Sequence, residues 1–178
     1  MVSMKGSAMR HVALLRGVNV GGGNKLPMAD LRAQAADLGW QDITTYIASG
    51  NLVFSASGSP DDLAKALRAK LAVDVAVLVL TGDDLRAAVL GCPFPPDPGN
   101  LVHGFFCFDP PAMDEARAAS LQAPTEALAV MDRIVWLHAP EGIGRSKLVE
   151  KMDKVITGTT FTARNFNTIR KLAALAAD

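Results

Sequence analysis

A hydrophobic run that breaks into a glycine-rich loop is the feature of this sequence best suited to chemistry. Residues 14–25 read LLRGVNVGGGNK. Three consecutive glycines leave backbone N–H groups unshielded, and a cation stands near each end of the loop. The segment 17–25 therefore predicts an anion site. Its candidate ligand-binding residues are Arg16, Asn19, Gly21, Gly22, Asn24 and Lys25.

This loop fits neither of two standard phosphate-binding patterns. Gly17 and Gly22 have the spacing of a P-loop, but Gly23 stands where a lysine is required, and neither Ser nor Thr follows Lys25. A dinucleotide fingerprint needs a doubly wound sheet, which the element order does not predict. A structural turn, in which asparagines cap backbone groups, is an equally good interpretation of the loop taken alone.

The alternation of apolar residues predicts the order β-α-β-β-α-β in each half of the chain. Strands are predicted at 11–16, 43–47, 52–54, 75–80, 101–108, 127–131, 134–138 and 159–163. Helices are predicted from residues 27, 60 and 82, over 112–121 and 146–156, and from residue 165. We therefore predict an α+β fold of two ferredoxin-like (α/β plait) units with an additional C-terminal helix.

The domain organisation follows from this order and from one proline-dense stretch, PFPPDPG at 93–99. We expect a disordered extension over 1–8 and a first unit over 9–80. A helix and linker are expected over 81–100, and a second unit with the C-terminal helix over 101–178.

Topology gives the loop a neighbour. In a β-α-β-β-α-β unit the first two strands run in the same direction, joined by a right-handed crossover. The loop after the first strand and the turn between the second and third strands then lie at the same end of the sheet. Ser49, Gly50 and Asn51 in that turn are therefore further candidate binding residues.

The motif GIGRSK at 142–147 surrounds a predicted helix N-cap with Arg145, Ser146 and Lys147. Cations at a helix N-terminus oppose the helix dipole, which a bound anion would offset. The alternative is that both long side chains extend into water. We favour an anion site.

A second basic motif, TARNFNT at 162–168, precedes the last predicted helix. Asn165 is the expected N-cap and therefore structural. Arg164 and Asn167 are the residues of this motif that we expect to contact a ligand.

The charges are unevenly distributed in a chain of 178 residues with zero formal net charge. Residues 1–25 carry a net charge of +4, residues 26–132 carry −8, and residues 145–178 carry +4. Two basic ends could converge into a positive patch that attracts an anion. Scattered solvated charges are the simpler interpretation of either end alone.

The remaining residues exclude several classes of protein. Apolar runs are too short to span a bilayer, and no signal peptide is present, so we expect a cytoplasmic protein that contacts no membrane. Cys92 and Cys107 are expected to be buried free thiols. The three histidines fall in predicted strands without other ligands at metal-binding spacing, so we expect no metal and no cofactor. No catalytic residue can be named, and the oligomeric state is left open.

Four motifs in order, LLRGVNVGGGNKLPM, TYIASGNLVFS, GRSKL and TARNFNTIRKL, resemble a bacterial family catalogued as domain of unknown function number 1697. The resemblance covers Met9 to Leu175 and implies two small α/β plait units, but no activity. Gly23 departs from the bulkier, often basic residue expected there. The resemblance places these residues at motif positions: Arg16, Gly17, Asn19, Gly21, Gly22, Ser49, Gly50, Asn51, Arg145, Ser146, Lys147, Arg164 and Asn165.

Three functions remain in competition. The leading one is binding of a phosphate-bearing ligand, a nucleotide or a nucleic-acid segment, at the glycine-rich loop with basic residues from the second half. The second is an enzyme acting on a small phosphorylated or acidic metabolite in a cleft between the units. The third is a structural or interaction protein whose motifs only fix loop geometry.

Overall fold

The structure, a computed structural model, describes residues 7–177. The chain divides into two compact units. One is formed by the chain up to Ala87 together with the segment from Lys171 onward, and the other by Ala88–Arg170. The predicted disordered extension 1–8 lies outside the described residues except for residues 7 and 8.

The first unit contains a four-stranded antiparallel sheet with the order β2-β3-β1-β4. The strands are β1 Met9–Leu15, β2 Gln41–Thr45, β3 Asn51–Ala56 and β4 Val77–Thr81. The helices are α1 Met28–Asp37, α2 Pro60–Lys70 and α3 Gly82–Leu90, of which α3 continues into the second unit.

Local sequence explains these elements. The Ser59 side chain accepts a hydrogen bond from the Asp62 N–H and caps α2, whose first residue is Pro60. The core of the unit forms between the sheet and the helices, where Trp40 stacks on Phe54 with ring centroids 3.9 Å apart. This buried layer positions the ends of the strands from which the loops emerge.

The second unit repeats this strand order as β10-β5-β8-β7, again fully antiparallel, and adds a two-stranded sheet of β6 and β9. Its strands are β5 Val102–Cys107, β6 Ala112–Met113, β7 Ala127–Met131, β8 Ile134–His138, β9 Ile156–Thr157 and β10 Phe161–Asn165. Its helices are α4 Glu115–Leu121, α5 Lys147–Glu150, α6 Met152–Val155 and α7 Phe166–Leu175.

Three expectations for the second half were wrong in detail. The single helix expected over 146–156 is two four-residue helices separated at Lys151, and the second ends at Val155 because Ile156 and Thr157 pair with β6 in an extended conformation. For the same reason the helix expected from residue 112 begins only at residue 115, after β6. The last strand lies at 161–165 rather than 159–163.

The division into units lies between residues 87 and 88, inside the helix and linker expected over 81–100, and between residues 170 and 171, inside the expected second unit. It falls within α3 and α7, so that the end of the C-terminal helix belongs to the first unit. There Arg10 donates a hydrogen bond to the Leu175 carbonyl oxygen at 3.0 Å, and the Gly82 backbone lies against Ala176. The apolar periodicity of a sequence predicts where a helix lies. It does not predict which hydrophobic core each turn of that helix packs against.

Candidate functional site

The glycine-rich loop between β1 and α1 depends on left-handed backbone conformations. Gly17, Asn19, Gly21, Gly22 and Asn24 all have positive φ angles, between 48° and 79°. Glycine and asparagine are the residues that adopt this region at the lowest cost. The loop closes on itself through two hydrogen bonds, from the Asn19 N–H to the Asn24 carbonyl at 3.2 Å and from the Gly23 N–H to the Val20 carbonyl at 3.2 Å.

Asn19 ties this loop to the neighbouring turn. Its amide nitrogen Nδ2 donates to the Leu26 carbonyl at 2.8 Å and to the Ala48 carbonyl at 2.7 Å. Its oxygen Oδ1 accepts from the Leu26 N–H at 2.8 Å. The loop and the β2–β3 turn therefore lie side by side, as the topology predicted. Asn19 holds them together and is a positioning residue.

The β2–β3 turn is held in shape by hydrogen bonds of buried residues. Asn51 is buried, and its Nδ2 donates to the Tyr46 carbonyl and to Ser49 Oγ, both at 3.0 Å. Gly50 is also buried, and its carbonyl accepts from the Leu15 N–H at 2.9 Å. These contacts fix the shape of the turn. They leave Ala48 and the exposed Ile47 at its surface.

Ile47 carries strain that the sequence did not reveal. Its φ angle is +51°, a conformation that a β-branched side chain adopts only at a cost of about 1–3 kcal/mol. The side chain is also exposed, so burial does not offset this cost. Strained residues concentrate at functional sites. The turn beside the glycine-rich loop is therefore the strongest structural candidate in the first unit.

A pocket of about 530 Å³ opens between this loop, the turn and the start of α1. Lys25 and the backbone of Gly22 and Gly23 line one part of it, and the remaining wall is mainly apolar. The pocket is lined by Asn19, Gly22, Gly23, Lys25, Leu26, Pro27, Met28 and Ala48.

The electrostatics of this pocket favour an anion in one respect and oppose it in another. Lys25 is exposed, and α1 begins beside it at Met28 without a side-chain cap, so the positive end of the helix dipole is available. Asp30, however, lies in the first turn of the same helix. Arg16 lies at the entrance of the loop, where its backbone N–H bonds the Ala76 carbonyl at 3.0 Å.

The GIGRSK motif lies on a different pocket, of about 320 Å³, within the second unit. Arg145, Ser146 and Lys147 all line it. The Ser146 hydroxyl donates to Glu126 Oε2 at 2.5 Å and accepts from the Val149 N–H, which caps α5.

Glu126, which the sequence analysis did not select, is buried, and its Oε1 accepts from the Ala123 N–H at 2.8 Å. An acidic side chain of the chain itself therefore lies beside Ser146 in this pocket. Glu126 lies twenty residues before Ser146 and gives no local signal in the sequence, because the contact exists only after folding.

We expect Glu126→Gln to lower the free energy of unfolding of the second unit by about 1–2 kcal/mol, because the uncharged amide weakens the bonds from Ser146 and Ala123. Chemical denaturation followed by Trp136 fluorescence measures this change. Glu141→Gln, at an exposed carboxylate on the same pocket, is the matched control and should change stability by less than about 0.5 kcal/mol. Equal effects of the two substitutions would contradict this role of Glu126.

The third motif supports the junction of β10 and α7. Asn165 Oδ1 accepts from the Thr168 N–H at 2.9 Å, which confirms its predicted capping role. Asn167 is exposed, accepts from Arg170 Nη2 at 2.7 Å and packs over Gly99, where an added Cβ would overlap Asn167 Oδ1. The Asn167 side chain therefore covers the segment that precedes β5.

Arg164, predicted to contact a ligand, is instead buried. It donates from Nη1 to Thr162 Oγ1 and to the Ala163 carbonyl, each at 2.8 Å. Burial lowers the pKa of its guanidinium to about 10. These contacts of the guanidinium are thus to neighbouring residues of β10.

The histidines have different environments. His11 Nδ1 contacts the Met9 carbonyl at 2.9 Å, whereas His103 is buried with no hydrogen-bond partner for Nδ1 among the described residues. Burial lowers the pKa of both imidazoles. Within residues 7–177 no group of three potential metal ligands is present.

These features define an α+β protein with two four-stranded antiparallel sheets of the same strand order and a glycine-rich loop at one end of the first sheet. The chain belongs to the family described as "Protein of unknown function (DUF1697)", whose model matches residues 9–136. None of the helices within residues 7–177 has the length and apolar character needed to span a membrane.

Two solved structures are similar to this chain. A conserved bacterial protein from Streptococcus pneumoniae is 27% identical, with a TM-score of 0.73, and the match covers 96% of this chain and 100% of that one. A protein from Bacteroides thetaiotaomicron is 11% identical over 93% of this chain and 97% of its own, with a TM-score of 0.25. No curated protein matches the chain. The first similarity supports the α+β architecture and carries no activity.

Proposed function

We propose that the first unit binds a phosphate-bearing ligand in the pocket beside the glycine-rich loop. The observation that carries this proposal is the composition of the pocket, in which Lys25 and the Gly22–Gly23 backbone adjoin a wall formed by Pro27, Met28 and Ala48. An ammonium group and glycine N–H groups suit phosphate oxygens. The apolar wall suits a flat, less polar group attached to the phosphate. A nucleotide, free or at the end of a nucleic acid, combines both.

The contributions of the predicted residues to this site differ. We assign direct contact to Lys25, Gly22 and Gly23, and a positioning role to Asn19, which fixes the distance between the loop and the turn. Gly50 and Asn51 act from the interior by shaping that turn. The residues at Arg145–Lys147 and Arg164 are not needed for the proposed contacts.

The strand order supports the finer architecture expected from the sequence. In both units the central two strands are the first and third of their unit, and every pairing is antiparallel. We therefore propose that each unit is ferredoxin-like. We also propose a cytoplasmic location, because Cys92 and Cys107 are both free thiols, as a reducing compartment keeps them.

Binding should be strongest for nucleotides, and it should weaken as salt is added, because a charged lysine and a phosphate attract less strongly when screened. We expect Lys25→Ala to reduce affinity roughly ten- to a hundredfold through the loss of a charge-assisted hydrogen bond. Asp30→Asn should raise affinity about two- to threefold, because it removes a negative charge beside the ligand. Calorimetric titration with inorganic phosphate, nucleoside mono- and triphosphates and a short oligonucleotide measures these effects.

Lys65→Ala is the matched control, since it removes an exposed lysine from α2 of the same unit without touching the pocket. It should leave affinity unchanged. The proposal is overturned if no member of the panel binds in a salt-sensitive way, or if Lys65→Ala weakens binding as much as Lys25→Ala. Conversion of a bound nucleotide by the wild-type protein would favour the enzyme alternative.

A further inference from the structure

The outer edge of the second sheet is formed by β7, which pairs with β8 on one side and with no other strand of the described chain. A two-residue turn, Asp132-Arg133, joins β7 to β8, and Met131 lies opposite Ile134. Such turns close on a hydrogen-bonded pair, so Met131, Ala129 and Ala127 bond toward β8. Leu128 and Val130 then direct their backbone N–H and C=O groups outward.

This edge lacks the usual protection against pairing. The strand reads ALAVM, with no charged residue, no proline and no bulge in its register with β8. The large side chains of Val130 and Met131 are 47% and 42% exposed. Natural proteins normally block such edges with charge, proline or a bulge, because unpaired N–H and C=O groups template another strand.

The corresponding edge strand of the first unit, β2, is protected against pairing with another strand. β2 reads QDITT, in which four of the five residues are polar and one of those four is charged. Its register with β3 shifts between Gln41 and Thr44, and Asp42 in that irregularity has a φ angle of +50°. β7 lacks these protective features and can therefore accept a partner strand.

We propose that β7 is a dimerisation strand, which pairs antiparallel with β7 of a second copy of this chain to join two four-stranded sheets into one of eight strands. A two-fold axis through Ala129 places Ala129 opposite its own copy, Leu128 opposite Val130 and Ala127 opposite Met131. The outward-facing Leu128 and Val130 then exchange main-chain hydrogen bonds, and the small Ala127 makes room for Met131.

The second copy is favoured over an unrelated peptide by charge and by continuity. When β7 of one copy lies beside β7 of another, no like charges face each other, because the strand is uncharged. The chain also has zero formal net charge, so two copies do not repel each other overall. The new pairing is also antiparallel, like every pairing already present in the sheet. A two-fold contact pairs the free β7 edge of one copy with that of the other. No β7 edge is then left for a third chain.

Sedimentation equilibrium over roughly 10 μM to 1 mM tests this proposal. The wild-type protein should approach twice the chain mass as concentration rises. Val130→Lys and Met131→Lys, which place a charge on the edge strand, should each raise the dissociation constant at least about tenfold. Leu90→Lys is the control, because Leu90 is an apolar residue 77% exposed outside this strand, and it should leave the dissociation constant unchanged.

Amide hydrogen exchange gives a second readout that does not depend on a variant. In the wild-type protein, the Leu128 and Val130 amides should exchange more slowly as concentration rises, while amides of β2 stay unaffected. A chain mass that stays single over the whole range overturns the proposal. So does a dimer that both lysine variants leave intact, a dimer that Leu90→Lys weakens equally, or growth beyond two chains.

Discussion

Substitution of Gly50 by alanine is expected to lower the free energy of unfolding of the first unit by about 3 kcal/mol or more. Gly50 has a φ angle of +89°, which strains any L side chain. An added Cβ would also lie 2.6 Å from Val18 Cγ2 and 2.8 Å from Leu15 Cβ. Both neighbours are fully buried, so neither can move aside without disturbing the core.

The control substitution Gly22→Ala separates the cost of backbone strain from the cost of the steric clash at the added Cβ. Gly22 has a similar φ angle of +79°, but no heavy atom of the described residues, its chain neighbours apart, lies within 4 Å of the added Cβ. It should cost only about 1 kcal/mol. Urea denaturation followed through Trp40, in a Trp136→Phe background, reports on the first unit alone. Equal destabilisation by both substitutions would show that the close approach at Gly50 contributes nothing.

Asn19→Asp is expected to have the second-largest effect, about 3 kcal/mol on the same unit. The change keeps the side-chain shape but replaces the donor Nδ2 by an oxygen. That oxygen would face the carbonyls of Leu26 and Ala48 at 2.7–2.8 Å, so two hydrogen bonds are lost and a charge is repelled. Because these carbonyls disfavour the anion, the pKa of the new carboxyl rises in the folded state. The deficit should therefore shrink as the pH is lowered.

Asn19→Gly is the control for this experiment. Glycine tolerates the φ angle of +56° and loses the side-chain bonds without introducing repulsion, so it should cost about 2 kcal/mol with no added pH dependence. Denaturation between about pH 4 and pH 8 measures both variants. A loss for Asn19→Asp that is no larger than for Asn19→Gly, or that is the same at every pH, would rule out the repulsion described here.

These two residues bear on the proposed function through geometry. Gly50 determines the shape of the turn, and Asn19 sets the distance between that turn and the glycine-rich loop. Neither is assigned direct contact with the ligand. Variants mild enough to stay folded should therefore weaken nucleotide binding together with stability, whereas Lys25→Ala should weaken binding at nearly unchanged stability.

Much of the fold was predictable because its signals are local. Ser59 and Asn165 cap helices through side chains that reach residues only three positions away. The strands Ala127–Met131 and Ile134–His138 begin and end at the predicted residues. The end of α6 at Val155 was not predictable, because it depends on the pairing of β9 with β6, more than forty residues away in the chain.

The same distinction holds for the candidate site. The sequence by itself determined the glycine-rich loop, the turn and the fact that they lie close together. The loop and the turn are visible as short local patterns, and their proximity follows from the order of the strands. Only the tertiary structure decided what each side chain does. Asn19 bridges carbonyls 22 positions apart, Arg164 is buried, and Glu126 accepts a hydrogen bond from the Ser146 hydroxyl. Burial and hydrogen-bond partners arise from contacts between distant segments, and a residue type alone does not specify them.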